Sequence, residues 1–203
     1  MEQLGNVYVS RETLADLKVF KQLVRKWNPA INLVAKSSLP EVWERHIVDS
    51  TQIFPLVTEE PDLWLDIGSG GGFPGIVVAI LAKGLGWSTK FHLVESDNRK
   101  SVFLRTAARD LKLNVEVSSD RIEAVERQKA DILTARALKS LDELLFFTER
   151  HLAQGGTAIF PKGKKWQDEI TLAQANWRFE VEPHQSITDG DAKILVLSEI
   201  VRD

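Results

Sequence analysis

The sequence predicts a doubly wound α/β fold, and three observations lead to that prediction. The apolar run Leu63–Ile67 is followed directly by a cluster of glycines, and a strand, a glycine-rich turn and a helix form the nucleotide-binding corner of such sheets. From this run onward, short apolar segments alternate with helical patterns, as they do in mostly parallel sheets. The last two predicted strands, residues 177–182 and 192–200, leave no room for a crossover helix, so they should be antiparallel.

Length and composition indicate one ordinary globular domain. The chain has 203 residues, of which 43% are hydrophobic and 27% charged, and its formal net charge is −3. This length suits a single domain over residues 1–203. We divide it into a helical N-terminal extension over residues 1–60 and an α/β core over residues 61–203. The charge argues against a protein that coats nucleic acid without specificity, but it allows a site-specific RNA enzyme with local basic patches.

Features that are absent from the sequence exclude several kinds of site and of cellular location. There is no cysteine, which excludes disulfides, zinc–thiolate sites, iron–sulfur clusters and a cysteine nucleophile. The first residues show no basic start followed by an apolar segment, and no apolar run is long enough for a membrane span. We therefore expect a cytoplasmic protein with no membrane partner and no metal site.

The N-terminal extension is predicted to contain two helices. Ser10 should cap the first, and Asn28-Pro29 should end it, because the residue before a proline avoids the α region. The sequence Ser38-Leu39-Pro40-Glu41 has the spacing of a capping box, so the second helix should begin there. That helix carries the sequence RHIVDS at residues 45–50, whose role the sequence alone leaves open.

The core should then alternate strands and helices. Its predicted strands are residues 63–67, 91–94, 115–117, 130–136 and 157–160, followed by the antiparallel pair. One helix is predicted directly after Pro74, and three more are predicted over residues 98–111, 141–153 and 167–176. Asp97 and Ser140 are expected to cap two of them. The segment Pro161–Lys165, after the fifth strand, is the densest basic cluster in the chain.

The glycine-rich turn is expected to hold a nucleotide-type ligand. It matches the G-x-G-x-x-G dinucleotide pattern, which is weak evidence within a cluster of glycines. It also places Asp66 ahead of glycines at every second position, and a carboxylate there suits the cationic S-adenosylmethionine better than a pyrophosphate. Glu95 ends the next strand and is placed to accept hydrogen bonds from a ribose. We therefore favour S-adenosylmethionine over NAD as the cofactor.

Four motifs are more specific together than singly. In chain order they are RHIVDS (45–50), DIGSGGGFPG (66–75), ESDNRKSVFL (95–104), and Arg121-Ile122-Glu123 with Arg136-Ala137. In this order they resemble the bacterial 16S ribosomal RNA guanine-N7 methyltransferases of the glucose-inhibited-division-B family, also called small-subunit rRNA methyltransferase G. The resemblance runs from about residue 27 to residue 163. It implies a Rossmann-like S-adenosylmethionine-dependent methyltransferase sheet that methylates N7 of a guanine, with 16S ribosomal RNA or the small ribosomal subunit as partner.

The resemblance also implies the residues that hold the methyl donor. Two lie in the glycine loop, two after the third core strand and one after the fourth. They are Gly68, Phe73, Ile122, Glu123 and Arg136. Glu95 joins them as the ribose-binding residue on the general grounds given above.

The acceptor chemistry requires no catalytic side chain. Guanine N7 has an in-plane lone pair and no proton, so we name no general base. Enzymes that methylate exocyclic amines usually have an Asn- or Asp-Pro-Pro-aromatic sequence after the fourth strand, where this chain has TARAL at residues 134–138.

Two alternative functions stay open, an NAD(P)-binding Rossmann oxidoreductase and a non-catalytic donor-binding RNA module. The single tyrosine, Tyr8, lies far from the core in sequence, which disfavours the oxidoreductase. The guanine chosen and the oligomeric state are open at this stage.

Overall fold

The chain begins with a hairpin that the sequence analysis did not predict. In the computed structural model, which describes residues 1–203, β1 (Glu2–Leu4) and β2 (Val7–Val9) pair as antiparallel strands. Strands of three residues are too short to show a period in the sequence. Helix α1 (Arg11–Ile31) follows, and Ser10 caps it as predicted, since its hydroxyl accepts a backbone N–H at 3.1 Å.

The predicted end of α1 at Asn28-Pro29 is wrong, because the helix continues to Ile31. Pro29 lies in the last turn, where its missing N–H removes only one helical hydrogen bond. The buried Asn28 side chain stabilises the following turn, because its Oδ1 accepts a hydrogen bond from the N–H of Val34 at 2.8 Å. Asn32 then ends the helix in the left-handed conformation, with φ 47°.

The second predicted helix is shorter and less regular than expected. Lys36–Ser38 is a 3₁₀ turn, Trp43–Val48 is a π-helical turn, and α2 (Asp49–Thr51) continues it. The capping box is wrong, because the Ser38 hydroxyl donates to a carbonyl three residues earlier and also bonds His46. A long-range contact therefore uses the hydroxyl that was expected to cap a helix. π-Helical turns are rare and often lie at functional sites.

The core confirms the predicted α/β fold. Its strands are β3 (Leu63–Ile67), β4 (Lys90–Val94), β5 (Val115–Ser118), β6 (Ala130–Ala135), β7 (Leu152–Lys162), β8 (Trp177–Gln185) and β9 (Lys193–Arg202). Its helices are α3 (Gly75–Leu85), α4 (Asn98–Asp110), α5 (Leu141–His151) and α6 (Trp166–Ala173). The strands form one seven-stranded sheet in the order β5-β4-β3-β6-β7-β9-β8. The last strand, β9, lies between β7 and β8 and is the one strand that runs opposite to the other six.

Both faces of the sheet are covered. A core of 34 buried residues, from Leu4 to Ile194, packs α1, α3 and α4 on one face, and the N-terminal extension contributes to it. A second core of 17 buried residues packs α5 and α6 on the other face. None of the helices combines the length and hydropathy that crossing a lipid bilayer requires.

The topology gathers five connections at one edge of the sheet. The last residue of β3, Ile67, pairs with Val94 of β4 and with Ala135 of β6, and Val94 pairs with Ser118 of β5. The carboxyl ends of these parallel strands therefore lie side by side, where open α/β sheets bind ligands. The connections that leave this edge begin at residues 68, 95, 119, 136 and 163.

Replacing Asn28 by alanine should destabilise the protein by about 1–3 kcal/mol, because the N–H of Val34 would lose its buried partner. Urea denaturation measures the free energy of unfolding. Lys26→Ala, at an exposed position of the same helix, is the control and should stay within about 0.5 kcal/mol of the wild type. A loss in Asn28→Ala no larger than in the control would contradict the role given to this side chain.

Candidate functional site

The glycine-rich turn after β3 is held by the carboxylate of Glu95. Its Oε2 accepts a hydrogen bond from the N–H of Gly70, and its Oε1 accepts one from the N–H of Asp97, both at 2.8 Å. The side chain is buried at the end of β4. Glu95 therefore joins the glycine loop to the start of α4. Each carboxylate oxygen has a second lone pair, with which it can accept a hydrogen bond from a ribose hydroxyl.

Gly68 is required by both its conformation and its neighbours. Its φ of +65° lies in the left-handed region, which side chains disfavour. A Cβ at this position would lie 2.6 Å from Cδ1 of Leu138. The segment that follows β6 thus packs directly on the backbone of the first glycine.

A small cleft beside Gly68 contains three of the six expected donor residues. Gly68, Ile122 and Glu123 line it together with the apolar side chains of Val94 and Phe147, and its volume is about 100 Å³. We call it the Gly68 cleft. Apolar walls beside a carboxylate suit an adenine ring and its amino group. Sites that enclose ligands of this size usually measure roughly 300–1,000 Å³. Leu138 also lines the cleft and takes up the space beside Gly68.

Phe73 and Arg136 form a second group of expected residues. The guanidinium of Arg136 lies over the Phe73 ring, 5.2 Å from its centroid. Its Nη1 donates to Oδ2 of Asp49 at 3.1 Å, and its Nη2 donates to Nδ1 of His46 at 3.0 Å. Only 16% of the Arg136 side chain is exposed. Asp49 and His46 both belong to the RHIVDS sequence, which therefore surrounds Arg136.

The contacts of His46 fix its protonation. Burial, followed by the charges of Arg136 and Arg45, lowers the pKa of His46 to about 4, so its ring is neutral at pH 7. Because Nδ1 accepts the bond from Arg136, the proton lies on Nε2, which donates to the Ser38 hydroxyl at 2.9 Å. The ring also packs on Phe73, with centroids 5.2 Å apart.

Asp49 connects Arg136 to the loop between β8 and β9. Its Oδ1 accepts hydrogen bonds from the Thr188 hydroxyl at 2.5 Å and from the Gln52 amide at 3.2 Å. The amide oxygen of Gln52 in turn accepts a hydrogen bond from the N–H of Ile187 at 2.6 Å. The C-terminal hairpin is therefore bound to the N-terminal extension next to Arg136.

The carboxylate of Asp66 lies inside the protein and accepts a hydrogen bond there instead of facing solvent. Trp64 Nε1 donates to the Thr134 hydroxyl at 3.1 Å, which donates to Oδ1 of Asp66 at 2.7 Å. Oδ2 has no hydrogen-bond partner and lies against Gly75. The carboxylate is fully buried, so it can act on a ligand only through its charge.

A basic cavity of about 380 Å³ lies beside Arg136, between the ends of β6 and β7 and the β8–β9 loop. We call it the Arg136 cavity. Five cationic residues line it against three acidic ones, Asp49, Glu169 and Asp189. The cationic residues are Arg45, Arg136, Lys139, Lys162 and Lys193. Lys162 is buried, and its Nζ donates to Oε2 of Glu169 at 2.7 Å. The excess of positive charge suits a phosphate backbone.

The expected residues thus lie in neighbouring groups at one edge of the sheet. His46, Asp49 and Leu138 also belong to the site but were not among the residues expected from the sequence, in which RHIVDS was a motif without an assigned role. No three His, Asp or Glu side chains are arranged to hold a metal ion.

Comparison with known proteins identifies relatives over nearly the whole chain. The family profile described as rRNA small subunit methyltransferase G (GidB) matches residues 13–197. Ribosomal RNA small subunit methyltransferase G of Ruegeria sp. strain TM1040 is 51% identical over 194 residues, which cover 96% of this chain and 94% of that protein. The protein of the same description from Cereibacter sphaeroides strain ATCC 17029 is 48% identical over 197 residues, covering 97% and 96% of the two chains.

Solved structures of low sequence identity share the fold. An S-adenosylmethionine-dependent methyltransferase from Aquifex aeolicus has a TM-score of 0.60 at 17% identity, covering 80% of this chain and 93% of that one. TYW2 of M. jannaschii, solved in complex with AdoMet, has a TM-score of 0.59 at 16% identity and covers 79% and 78%. The sheet therefore has the fold of these methyltransferases, as the sequence predicts. The oxidoreductase alternative is not favoured, because the family profile and the relatives of about 50% identity are of methyltransferases.

Replacing Asp66 by asparagine should remove the part of the pH dependence of the unfolding free energy that arises from this carboxyl group. Burial raises the pKa of Asp66 from 3.8 to about 6, so the folded protein binds this proton more tightly than the unfolded chain does. The resulting stabilisation is complete below pH about 4 and is lost as the pH rises through 6. The difference in unfolding free energy between wild type and Asp66→Asn should therefore fall by up to about 3 kcal/mol across this window. Urea denaturation at several pH values measures it, and a difference that is constant from pH 4 to 7 would refute the burial effect.

Proposed function

This chain belongs to the rRNA small subunit methyltransferase G family, and on that basis we propose how its two cavities divide the reaction. The protein uses S-adenosylmethionine to methylate ribosomal RNA of the small subunit, and the family is that of the guanine-N7 enzymes. The donor binds in the Gly68 cleft, and a guanine of the 16S RNA enters through the Arg136 cavity. The observation that carries this proposal is the position of Arg136, which lines the cavity and lies on Phe73 of the glycine loop.

Six residues hold the donor in this proposal. Glu95 accepts the ribose hydroxyls, and Gly68 allows the donor to approach the backbone of the loop. Ile122 and Glu123 contact the adenine, one through its apolar side chain and the other through its carboxylate. Phe73 and Arg136 close the side of the site that faces the RNA. These roles are supported by the cleft that contains Gly68, Ile122 and Glu123, and by the contact between Phe73 and Arg136.

The charges around the loop favour a cationic donor. S-adenosylmethionine supplies a methyl group on a positively charged sulfur. Glu95 and the ionised Asp66 are two buried carboxylates beside the glycine loop. Neither is paired with a lysine or arginine by a direct salt bridge. The positive charge of Arg136 acts on Asp66 through space, and the charge of Glu95 remains available to attract a bound cation.

The side chains around Arg136 provide no general base, in agreement with N7 as the acceptor. His46 is neutral, but both of its ring nitrogens are used, one by Arg136 and the other by Ser38. Asp49 is bonded to Arg136 and to Thr188. The reaction relies on holding N7 in line with the methyl group, which is a contribution of proximity and orientation.

The RNA backbone lies on the basic side of the sheet edge. Lys162 and Arg136 line the cavity itself, and Lys164 and Lys165 are exposed just beyond β7. In a chain of net charge −3, this local excess of cations is a specific feature. It provides the phosphate contacts that position an RNA without reading its sequence.

The whole chain acts as one domain in this proposal. Residues 1–60 provide His46 and Asp49 to the site and share a hydrophobic core with residues 61–203. The proposed substrate is found in the bacterial cytoplasm, which is therefore where the enzyme works.

A methyl-transfer assay with an RNA that lacks N7 tests the function. The enzyme is given unmodified 16S RNA or small subunits, and the methylated guanine is mapped. In a second RNA, 7-deazaguanine replaces that guanine, so a C–H stands where the lone pair was. We expect transfer to the first RNA and none to the second, with RNA affinities equal within about twofold because the backbone contacts are unchanged. Methylation of the 7-deaza RNA would refute N7 as the acceptor, and no transfer to any RNA or subunit would refute the function.

A further inference from the structure

A second cleft lies next to the Arg136 cavity and has no part in the reaction described so far. It is formed by the β1–β2 hairpin, the π-helical turn and the β8–β9 loop, and its volume is about 560 Å³. Its walls include Trp43, Leu4 and Ile187, and its lining carries one cation, Arg45, and one carboxylate, Glu44. We call it the Trp43 cleft.

The Trp43 cleft adjoins the Arg136 cavity. Arg45 and Thr188 line both spaces, so they form the ridge between them. Two hydrogen bonds hold this ridge: the main-chain carbonyl of Arg45 accepts one from Arg136 at 3.4 Å, and the Thr188 hydroxyl donates one to Asp49. The Arg45 side chain is 59% exposed, and its only ion-pair partner, Glu41, lies 3.7 Å away. A ligand that fills both spaces would cross Arg45.

The chemistry of the Trp43 cleft is that of a base-stacking site. Trp43 is half-buried, and Ile187 leaves 52% of its surface exposed beside it. The ammonium of Lys21 lies 5.4 Å from the centre of the Trp43 ring. Proteins hold single-stranded nucleic acid by stacking bases on aromatic side chains and tracking phosphates with cations. Within the lining of the cleft, Trp43 provides the aromatic ring and Arg45 the cation, whereas Lys21 belongs to α1 and lies over the ring outside that lining.

We propose that the Trp43 cleft binds an unpaired nucleotide of the substrate RNA that neighbours the target guanine, with its base against Trp43 and its phosphate at Arg45. The proposal rests on the proposed function, because the RNA enters through the adjoining Arg136 cavity. The target guanine and its neighbour would then be splayed to opposite sides of Arg45. Such splaying is how RNA-binding proteins expose individual bases of loops and bulges. It also gives the β1–β2 hairpin a role in substrate binding.

Three variants separate stacking from phosphate binding. Trp43→Leu removes the aromatic face, Trp43→Phe keeps it, and Arg45→Gln removes the cation. Trp87→Leu is the matched control, since Trp87 is also partly buried but lies ahead of β4, at the opposite edge of the sheet. Binding of unmodified 16S RNA fragments is measured as a function of salt, and donor affinity is measured separately.

Trp43→Leu should weaken RNA binding about 5- to 100-fold without changing its salt dependence, as expected for one lost stacked base. Trp43→Phe should retain most of the affinity, and Trp87→Leu should bind RNA as the wild type does. Arg45→Gln should lower the slope of log affinity against log salt by about one unit. Donor affinity should stay unchanged in Trp43→Leu, which also shows that this variant is folded.

Abasic RNAs identify the neighbouring nucleotide. An abasic residue at the position that occupies the cleft should weaken binding to the wild type but not further weaken binding to Trp43→Leu. If Trp43→Leu binds RNA no worse than Trp87→Leu, or if every abasic position affects wild type and Trp43→Leu equally, the proposal is overturned. Because this comparison measures binding alone, it decides the role of the cleft whether or not methyl transfer is observed.

Discussion

The guanidinium of Arg136 is a charge that the fold buries at the end of β6, and the rest of the site is arranged to compensate it. Asp49 supplies the opposite charge, His46 a neutral acceptor and Phe73 an aromatic face. Removing one partner of a buried pair commonly costs about 3–5 kcal/mol. The π-helical turn, the glycine loop and the connection after β6 must therefore keep their relative positions for this cluster to form.

This constraint explains why the N-terminal extension is part of the site. The extension carries Asp49 and His46, and Asp49 passes the contact on to Thr188 in the β8–β9 loop. Arg136 thus lies where the first sixty residues, the glycine loop and the C-terminal hairpin meet. The same residue separates the regions that we assign to donor and RNA. One cation–π contact joins Arg136 to the glycine loop, and a small number of hydrogen bonds joins it to the other two segments.

Local sequence signals were enough to predict the fold. The features that the sequence did not predict depend on contacts between residues far apart in the chain. Ser10 and Ser140 cap helices as expected, because capping depends on residues three positions apart. Ser38 has the same local signal, but its hydroxyl bonds His46 and the helix begins later. The position of Leu138 over Gly68 depends on residues about seventy positions apart in sequence, and no spacing rule predicts it.

The claim that the Arg136 cluster shapes the donor site is tested most directly by donor affinity in a variant that keeps the charge at position 136 and changes the shape of the side chain. Calorimetric titration with S-adenosylmethionine should show that Arg136→Lys binds about tenfold more weakly or worse. A lysine ammonium is a point charge that cannot bind Asp49 and His46 in the geometry of the planar guanidinium. Lys165→Ala, an exposed change beyond β7, should bind the donor as the wild type does. Equal donor affinity in folded Arg136→Lys and in wild type would contradict the claim that the Arg136 cluster shapes the donor site.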